Sequence, residues 1–493
     1  MIKLSINPGR MTLIERLGSV WRRLIRLPKV LRPKEKRAIL FLALVMLGAL
    51  LWNLISSHGS NPAFGGTYVE GFVGEAKYIN PVLASSDADT SMVKLIYSGL
   101  TRIDENGDIQ PDLASSWEIT DGGKTYIFHL RNDVEWHDGS PFTAKDVVYT
   151  IGLIQDPAVQ SWHFDAWNNI SASAPDDYTV KFSLPEVTST FIWNTTIGIM
   201  PAKIGSSDIN QSFVGTGPYK YSKVRVKNNK IESIVLVRNT HIYHVSAPYI
   251  DAVEIWLFPS LAEAKSALQD QKIQALAKPE VNDSRANSYQ LILNQKITLF
   301  INSQSALLSD LNVRQQLLSG TVTASITKPL VVVVDTAHAN DSVITETIKQ
   351  WEKEGITITS QNLSLTAIKA SILPSRKYDV LILAVEDGPQ FDYYAYWHSS
   401  QMSGLGLNFS SVKNNDLDKL LSDQRKALTI ADRSTLTDQI EKMLDGLAVR
   451  KVLSQAKFEY AISKNVHVVP TKVGNSGADR FNSFEKWYIK TRR

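Results

Sequence analysis

Residues 97–151 read YSGLTRIDENGDIQPDLASSWEITDGGKTYIFHLRNDVEWHDGSPFTAKDVVYTI, and this stretch decides the fold. Two runs in it, 116–120 and 125–131, read as strands on either side of the turn sequence DGGK, which predicts a β-hairpin. A helix is predicted to follow Thr143, which can cap it, while Asp146 can complete a capping-box-like pair. The stretch therefore combines a hairpin with a capped helix.

The pattern on either side of this stretch changes after Pro259. Before Pro259 we predict a strand at 67–73, a hairpin at 170–184 and a strand-rich region at 219–258. After it, the apolar runs PLVVVVD and DVLILAVE alternate with predicted helices. Continuous apolar strands between helices indicate βαβ units in a parallel sheet that is covered on both faces. The sequence therefore predicts an α/β fold with a second lobe that begins near residue 260.

Charge is distributed unevenly along the chain. Residues 1–37 carry 11 Lys/Arg against two Glu, whereas the remainder has 42 basic and 47 acidic residues. The body is mildly acidic, which argues against a general nucleic-acid binder. The chain has no cysteine, so disulfides, thiolate metal sites and lipid-modified cysteines are excluded.

Residues 38–55 read AILFLALVMLGALLWNLI, which is 18 residues without a charge. A helix of this length spans roughly 27 Å, close to the hydrocarbon core of a bilayer. The preceding RPKEKR is basic, so the positive-inside rule predicts a cytoplasmic N-terminus and an extracytoplasmic body. A cleaved signal peptide is the alternative, although its apolar region would be shorter and a small-x-small cleavage site would follow closely.

These changes give the predicted domain bounds. They are a basic cytoplasmic tail (1–37), a transmembrane anchor (38–56), a linker (57–65), a first lobe (66–259) with an inserted subdomain at about 110–197, a second lobe (260–460), and a return to the first lobe (461–493).

The stretch 97–151 resembles the early part of the extracytoplasmic solute-binding proteins of peptide importers, family 5, the oligopeptide- and dipeptide-binding group. Later segments resemble the same family in order and spacing, namely GTGPYKY (215–221), RNTHIYHVSAPYIDAVEI (238–255), LNVRQQLL (311–318) and DYYAYWHSSQ (392–401). The resemblance covers roughly residues 65–493. It implies a two-lobed periplasmic-binding-protein fold (Venus-flytrap, class II or cluster C) that closes on its ligand and performs no chemistry on it.

The chain departs from the family after LNVRQQLL. In the family, this helix continues as an A-I-D-R segment with several dozen further residues before the second-lobe sheet. Here RQQLLSGTVTASITKPLVVVV leads almost directly into a strand. We therefore expect a shortened second lobe, and the class of ligand stays open.

The resemblance implies an acidic residue in the second lobe that meets the α-ammonium group of a peptide. Asp387 is the best match by position, Asp392 is the alternative and Glu386 is a third candidate. A carboxylate suits this role because an unpaired charge is costly to bury. The competing interpretation of Asp387 is a plain turn after a strand, since Gly388 and Pro389 follow it.

On the first lobe, the resemblance implies that the loop with Ser85, Ser86 and Asp87 donates backbone hydrogen bonds to an extended peptide, as in strand addition. An ordinary loop before a helix is the alternative. Three further side chains are candidates for pocket walls, although most tryptophans belong to cores; they are Trp162, Trp397 and His398. Five residues are expected to shape the crossing between the lobes, namely Gly215, Thr216, Gly217, Pro218 and Tyr219.

No catalytic motif stands out, since neither G-x-S-x-G nor H-E-x-x-H occurs. The sequence predicts a monomeric, membrane-anchored substrate-binding component of a peptide ABC importer, with short peptides and a permease as partners and no cofactor, metal or enzymatic activity. The alternatives are a degenerate scaffold that acts in sensing or in surface interactions, or a binder of a nickel complex, haem or an oligosaccharide.

Overall fold

The computed structural model describes residues 32–56, 61–205, 213–227, 230–241, 243, 247–277, 284–322, 326–336, 338–387, 391–404 and 406–492. The predicted tail up to residue 31 and the linker residues 57–60 lie outside these ranges. The chain divides into two compact units, Met1–Pro62 with Thr491–Arg493, and Ala63–Lys490.

Strands and helices are numbered here in chain order. The strands are β1 (Asn61–Ala63), β2 (Thr67–Val73), β3 (Thr101–Ile103), β4 (Ile109–Pro111), β5 (Ala114–Thr120), β6 (Thr125–Leu130), β7 (Ser171–Asp176), β8 (Thr179–Ser183), β9 (Tyr219–Lys227), β10 (Lys230–Arg238), β11 (Ala252–Phe258), β12 (Ala275–Ala277), β13 (Ala286–Ile301), β14 (Leu330–Asp335), β15 (Ile358–Leu363), β16 (Val380–Glu386), β17 (Arg450–Ser463), β18 (Val473–Gly474) and β19 (Lys490–Arg492). The helices are α1 (Pro33–Ser56), α2 (Asp87–Ile96), α3 (Ala144–Gln155), α4 (Phe164–Trp167), α5 (Phe191–Asn194), α6 (Leu261–Gln269), α7 (Leu311–Ser319), α8 (Ser342–Lys353), α9 (Leu365–Ala367), α10 (Leu373–Ser375), α11 (Tyr394–Trp397), α12 (Asn415–Lys426) and α13 (Ile430–Gly446). Short 3₁₀ segments occur at Asp121–Gly123, Ser399–Gln401, Gly477–Phe481 and Phe484–Lys486, and a π-helical segment at Ile368–Ile372 joins α9 to α10.

The smaller unit contains helix α1, which covers the residues of the predicted anchor. Within the part of the chain that the structure describes, no helix combines the length and the apolar character needed to cross a membrane. The predicted anchor at 38–56 is therefore not supported.

The larger unit is built on an eleven-stranded sheet in the order β15-β14-β16-β13-β17-β12-β2-β11-β10-β9, with β18 paired to β13. Strands β9, β10, β11, β2 and β12 form the first half of this sheet, and β16, β14 and β15 form the second half. The second half is parallel, as the βαβ pattern predicted. Strands β13 and β17 are 16 and 14 residues long, pair antiparallel and run through both halves.

A break in the β13–β17 pairing separates the two halves. Ile292 pairs with Lys457, whereas Lys296 already pairs with Gln455, so residues 293–295 lie opposite Ala456 alone. We call residues 293–295 and Ala456 the bulge. The side-chain amide of Gln455 donates to the carbonyls of Leu293 and Gln295, which satisfies backbone acceptors that the ladder leaves unpaired.

The parallel strands of both halves end towards the bulge. Strand β12 runs antiparallel to β17, with Ala277 opposite Tyr460, so β12 and its parallel neighbours β2 and β11 point towards the bulge. Strand β16 ends at Glu386, opposite Gln295 of the bulge, and β14 and β15 run parallel to it. The carboxyl ends of the two halves therefore face each other.

Apolar side chains cover both faces of the second half. Leu381 and Leu383 face one core with α12 and α13, whereas Val380 and Ile382 face the other core with α7 and α8. The alternation follows from the two-residue period of a strand, and burial on both faces explains the continuous apolar sequence. The first half has one large core of its own.

A separate antiparallel sheet in the order β5-β6-β8-β7 is inserted between β2 and β9. The hairpin of β5 and β6 and the helix α3 confirm the predicted elements, and the predicted capping box of Thr143 and Asp146 is present. This sheet lies within the range predicted for the inserted subdomain.

Helix α6 and strand β12 join the first half of the sheet, since β12 pairs with β2 and β17. The sequence assigned both elements to the second lobe because the pattern changes after Pro259. Their apolar residues pack in a small core with Ala461 and with Val69 of β2.

Candidate ligand-binding site

The candidate carboxylate Asp387 lies directly after β16, at the bulge. Its backbone N–H donates to the carbonyl of Asn294 at 3.1 Å, which ties the end of β16 to β13. The Asn294 amide in turn donates to Asn475 at 2.9 Å, next to β18. Asp387 therefore stands where the second half of the sheet meets elements of the first.

The Asp387 side chain is only 8% exposed and already has partners within the chain. It forms an ion pair with Lys296 of β13, whose side chain is 30% exposed, and it accepts a hydrogen bond from the Tyr393 hydroxyl. Glu441 of α13 lies 3.9 Å from the Lys296 Nζ and 3.6 Å from Arg450. The site around Asp387 is thus a compensated network of two carboxylates and two cations.

Asp392 is also paired within the chain. Its carboxylate lies 3.0 Å from Nε of Arg425 and accepts from the backbone N–H of Tyr394 at 3.1 Å. The Arg425 guanidinium also lies 4.4 Å above the Tyr394 ring. Burial raises the pKa of the Asp392 carboxyl, although Arg425 opposes that shift.

Arg425 also connects the second half to the inserted sheet. It lies 3.4 Å from Glu186, and its carbonyl accepts from the N–H of Ser189 at 3.0 Å. Arg433 of α13 is buried 4.7 Å from the Trp193 ring. The last turn of α12 and the first turns of α13 therefore contact the segment 186–193, which follows the inserted sheet.

Glu386, the third acidic candidate, is open to solvent at the end of β16. Protein nevertheless surrounds its carboxyl closely enough that desolvation raises its pKa. Burial likewise raises the pKa of Tyr396, with the charges of Glu386 and Asp392 adding to the shift. In the described ranges no cation forms an ion pair with Glu386, which distinguishes it from the other two acids.

The candidates on the first half lie at the start of α2. Ser86 caps this helix, since its hydroxyl accepts from the N–H of Asp89 at 3.0 Å, whereas Ser85 and Asp87 are exposed. The preceding turn is built by Asn80, whose side chain accepts from the N–H of Leu83 at 2.9 Å. An exposed loop of this kind at the carboxyl end of β2 leaves backbone groups accessible to a ligand.

Trp162 is 70% exposed, which is unusual for so large an apolar side chain. The hydroxyl of the neighbouring Ser161 donates to the carbonyl of Val82 at 2.7 Å. Trp162 therefore lies beside the turn that precedes α2, and its ring is available for contact.

The other two candidate walls differ from Trp162. Trp397 is buried in the core of the second half, 5.3 Å from the Phe300 ring. His398 stacks on Tyr394 at 4.0 Å, and its Nδ1 lies 2.9 Å from the Ser400 hydroxyl. Trp397 has little surface to offer a ligand.

The segment 215–219 packs against the end of α2. A Cβ atom at Gly215 would lie 1.9 Å from the carbonyl oxygen of Ile96, so only glycine fits there. The N–H of Gly215 donates to Nδ1 of His137 at 3.2 Å, so Nε2 of that ring carries the proton and donates to the Gly217 carbonyl at 3.0 Å. Burial lowers the pKa of His137 to about 4. Within the same segment, Thr216 and Tyr219 are buried, and the Pro218 carbonyl accepts from Asn239.

The interpretation of the sequence missed Lys296, Tyr393 and Glu441. One signal was available for Lys296, because it directly precedes the apolar run ITLFI (297–301), and a lysine that is half buried beside such a run needs a partner. Nothing local identified the partner, since Asp387 and Glu441 lie far along the chain.

A cavity of about 90 Å³ lies in the first half, apart from the bulge, and Tyr97, Arg102 and Glu485 contribute to its lining. Ligand pockets usually enclose roughly 300–1,000 Å³, so this cavity is too small for a peptide. In the described part of the chain, no three His, Asp or Glu side chains come together as metal ligands.

Comparisons with known proteins agree with this architecture. The profile of the bacterial extracellular solute-binding proteins, family 5 (middle region), matches residues 108–319. The oligopeptide-binding protein AppA of Bacillus subtilis is 23% identical over 92% of this chain and 99% of that protein. The crystal structure of the ABC transporter substrate-binding protein CtaP of Listeria monocytogenes has a TM-score of 0.71 at 21% identity and covers 87% of this chain and 100% of that one. NikZ of Campylobacter jejuni, solved with Ni(L-His), has a TM-score of 0.64 at 21% identity, over 86% of this chain and 99% of that one.

The fold is thus that of a two-lobed substrate-binding protein with mixed α/β sheets. Residues 108–319 are thus similar to the bacterial extracellular solute-binding proteins of family 5, and most of the chain is similar to an oligopeptide-binding protein. Members of this family are substrate-binding proteins and not enzymes, and they act outside the cytoplasm.

Proposed function

We propose that the chain binds short peptides between the two halves of its sheet, as the substrate-binding component of a peptide ABC importer. The observation that carries the proposal is that the carboxyl ends of β2, β11 and β12 face those of β14, β15 and β16 across the bulge. Open α/β sheets bind ligands outside the carboxyl ends of their strands. The full-length relationship to an oligopeptide-binding protein supports peptides as the ligand class.

The bulge is also the boundary that we propose between two lobes. Among the strands that the structure describes, only β13 and β17 pass through it, so rotation about residues 293–295 and Ala456 would open the site while each half keeps its own core. The proposed second lobe then runs from about residue 296 to 455. It includes the short connection between α7 and β14, which supports the shortened lobe predicted from the sequence.

On the first lobe we propose that Ser85, Asp87 and Trp162 contact the ligand, because they are exposed in or beside the loop that precedes α2. Ser86 would act mainly as the helix cap. On the second lobe Asp387, Asp392 and Glu386 border the same space, while His398 lies further from the bulge along the chain. The segment 215–219 would shape the first lobe without touching the ligand.

Native mass spectrometry of the full-length protein, purified without denaturation, tests this function. We expect bound peptides, or uptake of peptides from a mixture of random tri- to pentapeptides. Failure to retain any peptide while the circular dichroism spectrum shows a folded α/β protein would contradict the proposal.

A degenerate scaffold is the second candidate function. It is favoured by the finding that Asp387 and Asp392 each have a cation of the chain as partner, and that Arg425 also reaches Glu186. Such a protein would keep its lobes together without ligand. Small-angle X-ray scattering distinguishes the two candidate functions. The radius of gyration of a peptide receptor decreases when peptides are added, whereas that of a scaffold with permanently closed lobes does not change.

We propose that the body acts outside the cytoplasm, which the similarity to extracellular solute-binding proteins supports, and attachment to the membrane is a separate proposal that rests on the sequence of residues 38–55 alone. Carbonate extraction of membranes from cells that express the full chain tests it. An anchored protein stays in the pellet, whereas a released one appears in the supernatant.

A further inference from the structure

The ion pair between Lys296 and Asp387 has an unusual position. Lys296 is the first residue of β13 beyond the bulge, and Asp387 is the first residue beyond β16. Both therefore border the space between the lobes, where the proposed function requires a ligand. The carboxylate is buried, whereas the lysine is partly open to solvent.

Groups of the chain itself compensate the charge of Asp387. Lys296 supplies the cation, and Tyr393 donates a further hydrogen bond to the same carboxylate. The second acid nearby, Glu441, is close to Arg450 as well as to Lys296 and also accepts from Tyr393 at 3.3 Å. Asp445 faces Arg450 at 3.6 Å but is itself largely exposed. An incoming cation finds no uncompensated buried carboxylate in this network.

A ligand's ammonium group could reach Asp387 only by displacing Lys296. The lysine is tethered to β13, so it competes at a high effective concentration that a free ligand has to overcome. If both cations stayed, they would repel each other in a partly desolvated site. A ligand with an uncharged end meets neither penalty.

We propose that Lys296 is a built-in counter-cation that determines specificity, so that the site prefers peptides whose end near Asp387 carries no positive charge, such as N-acylated peptides. This inference rests on the proposed function, since it names the ligand class of the same site. Lys296 sets the charge that the ligand meets, and Asp387 is the group through which it acts.

A competition experiment tests this preference. The full-length protein is incubated at pH 7 with a lysine-free random library of tri- to pentapeptides, mixed in equal amounts with its N-acetylated copy, and the retained peptides are counted by mass spectrometry. We expect the wild-type protein to retain acetylated peptides in about tenfold excess. Lys296→Met should reverse the ratio in favour of free amino termini, because Asp387 then lacks its cation.

Two further variants serve as controls for the charge and for the fold of the site. Lys296→Met/Asp387→Asn removes both charges and keeps the site neutral, so it should fold even if the single variant does not, and its ratio should fall to about one. Lys451→Met removes an exposed lysine from β17 and should keep the wild-type ratio.

The outcomes separate this inference from the proposed function. Retention of free and acetylated peptides in equal amounts by the wild type, or an unchanged ratio in the double variant, overturns the role of Lys296 while peptide binding stands. Retention of no peptide by the wild type and by every variant overturns the proposed function, and this inference with it.

Discussion

Two ion pairs in this protein have similar chemistry and different surroundings. Glu70 of β2 and Arg480 lie 2.8 Å apart in the first half of the sheet, and both side chains are completely buried. Lys296 and Asp387 pair at the bulge, where the lysine remains 30% exposed. The comparison distinguishes a structural ion pair, Glu70 with Arg480, from the pair of Lys296 with Asp387, in which a ligand could replace one partner.

The buried pair has several partners within the protein, although Nε of Arg480 has no hydrogen-bond partner among the described residues. Arg480 donates to Ser91 of α2, and Glu70 accepts from the Tyr68 hydroxyl at 3.0 Å. The guanidinium also lies 4.1 Å from the Phe481 ring. No ligand reaches this network, so its effect is to hold α2 and the segment Gly477–Phe481 on β2. At the bulge, by contrast, water already reaches one partner, so exchange costs less.

The largest expected effect follows from breaking the buried pair. Glu70→Ala leaves Arg480 buried without its carboxylate, which should lower the free energy of unfolding by about 3–5 kcal/mol. Urea denaturation of the full-length protein measures this loss. Glu346→Ala on the exposed side of α8 is the matched control and should cost less than about 0.5 kcal/mol. A loss below about 1 kcal/mol for Glu70→Ala would remove the contrast between the buried pair and the pair at the bulge.

The pair at the bulge should cost less to break. Lys296→Met leaves Asp387 with Tyr393 and with water that enters from the lysine side, so we expect a loss of about 2 kcal/mol. The double variant Lys296→Met/Asp387→Asn should be more stable than the single variant, and a double-mutant cycle measures the coupling. A loss as large as that of Glu70→Ala would show that the bulge pair is equally structural.

Acidification should weaken the first half through His137. Because burial lowers the pKa of this histidine to about 4, the unfolded state binds the proton more readily than the folded state. Its contribution is complete above about pH 6.5 and is lost as the pH falls towards 4. The stability advantage of the wild type over His137→Gln should therefore shrink by about 1–2 kcal/mol between pH 7 and pH 5. If urea titrations gave the same stability difference between wild type and His137→Gln at both pH values, the neutral, hydrogen-bonded state of the His137 ring would be contradicted.

The smallest effect on stability is expected at Trp162. Trp162→Ala removes an exposed ring and should change the free energy of unfolding by less than about 0.5 kcal/mol. Affinity for peptides should nevertheless fall, roughly tenfold, if the ring contacts the ligand. Trp397→Ala is the contrasting variant, since it empties a core site and should cost about 3–5 kcal/mol. Unchanged peptide affinity in Trp162→Ala, measured by calorimetry, would remove Trp162 from the site.

The candidate site was only partly predictable from the sequence. The resemblance pointed to Asp387 and to the loop at 85–87; Asp387 directly follows β16, and the loop precedes α2, while their contact with a ligand stays a prediction. It did not indicate that Asp387 and Asp392 each have a partner cation. It also gave Trp162 and Trp397 similar weight, although one is exposed and the other buried, because neighbouring polar residues say little about which side a tryptophan faces.

Local rules let the sequence by itself determine the hairpin β5–β6, the capped helix α3 and the βαβ order of the second half, because residue period and capping act within a few positions. The family resemblance added the two-lobed architecture. Only the tertiary structure decided that α6 and β12 join the first half, that the antiparallel pairing of β13 and β17 is interrupted at the bulge, and that Lys296 reaches Asp387. These features depend on pairing between distant segments, and the sequence of one segment does not specify its partner.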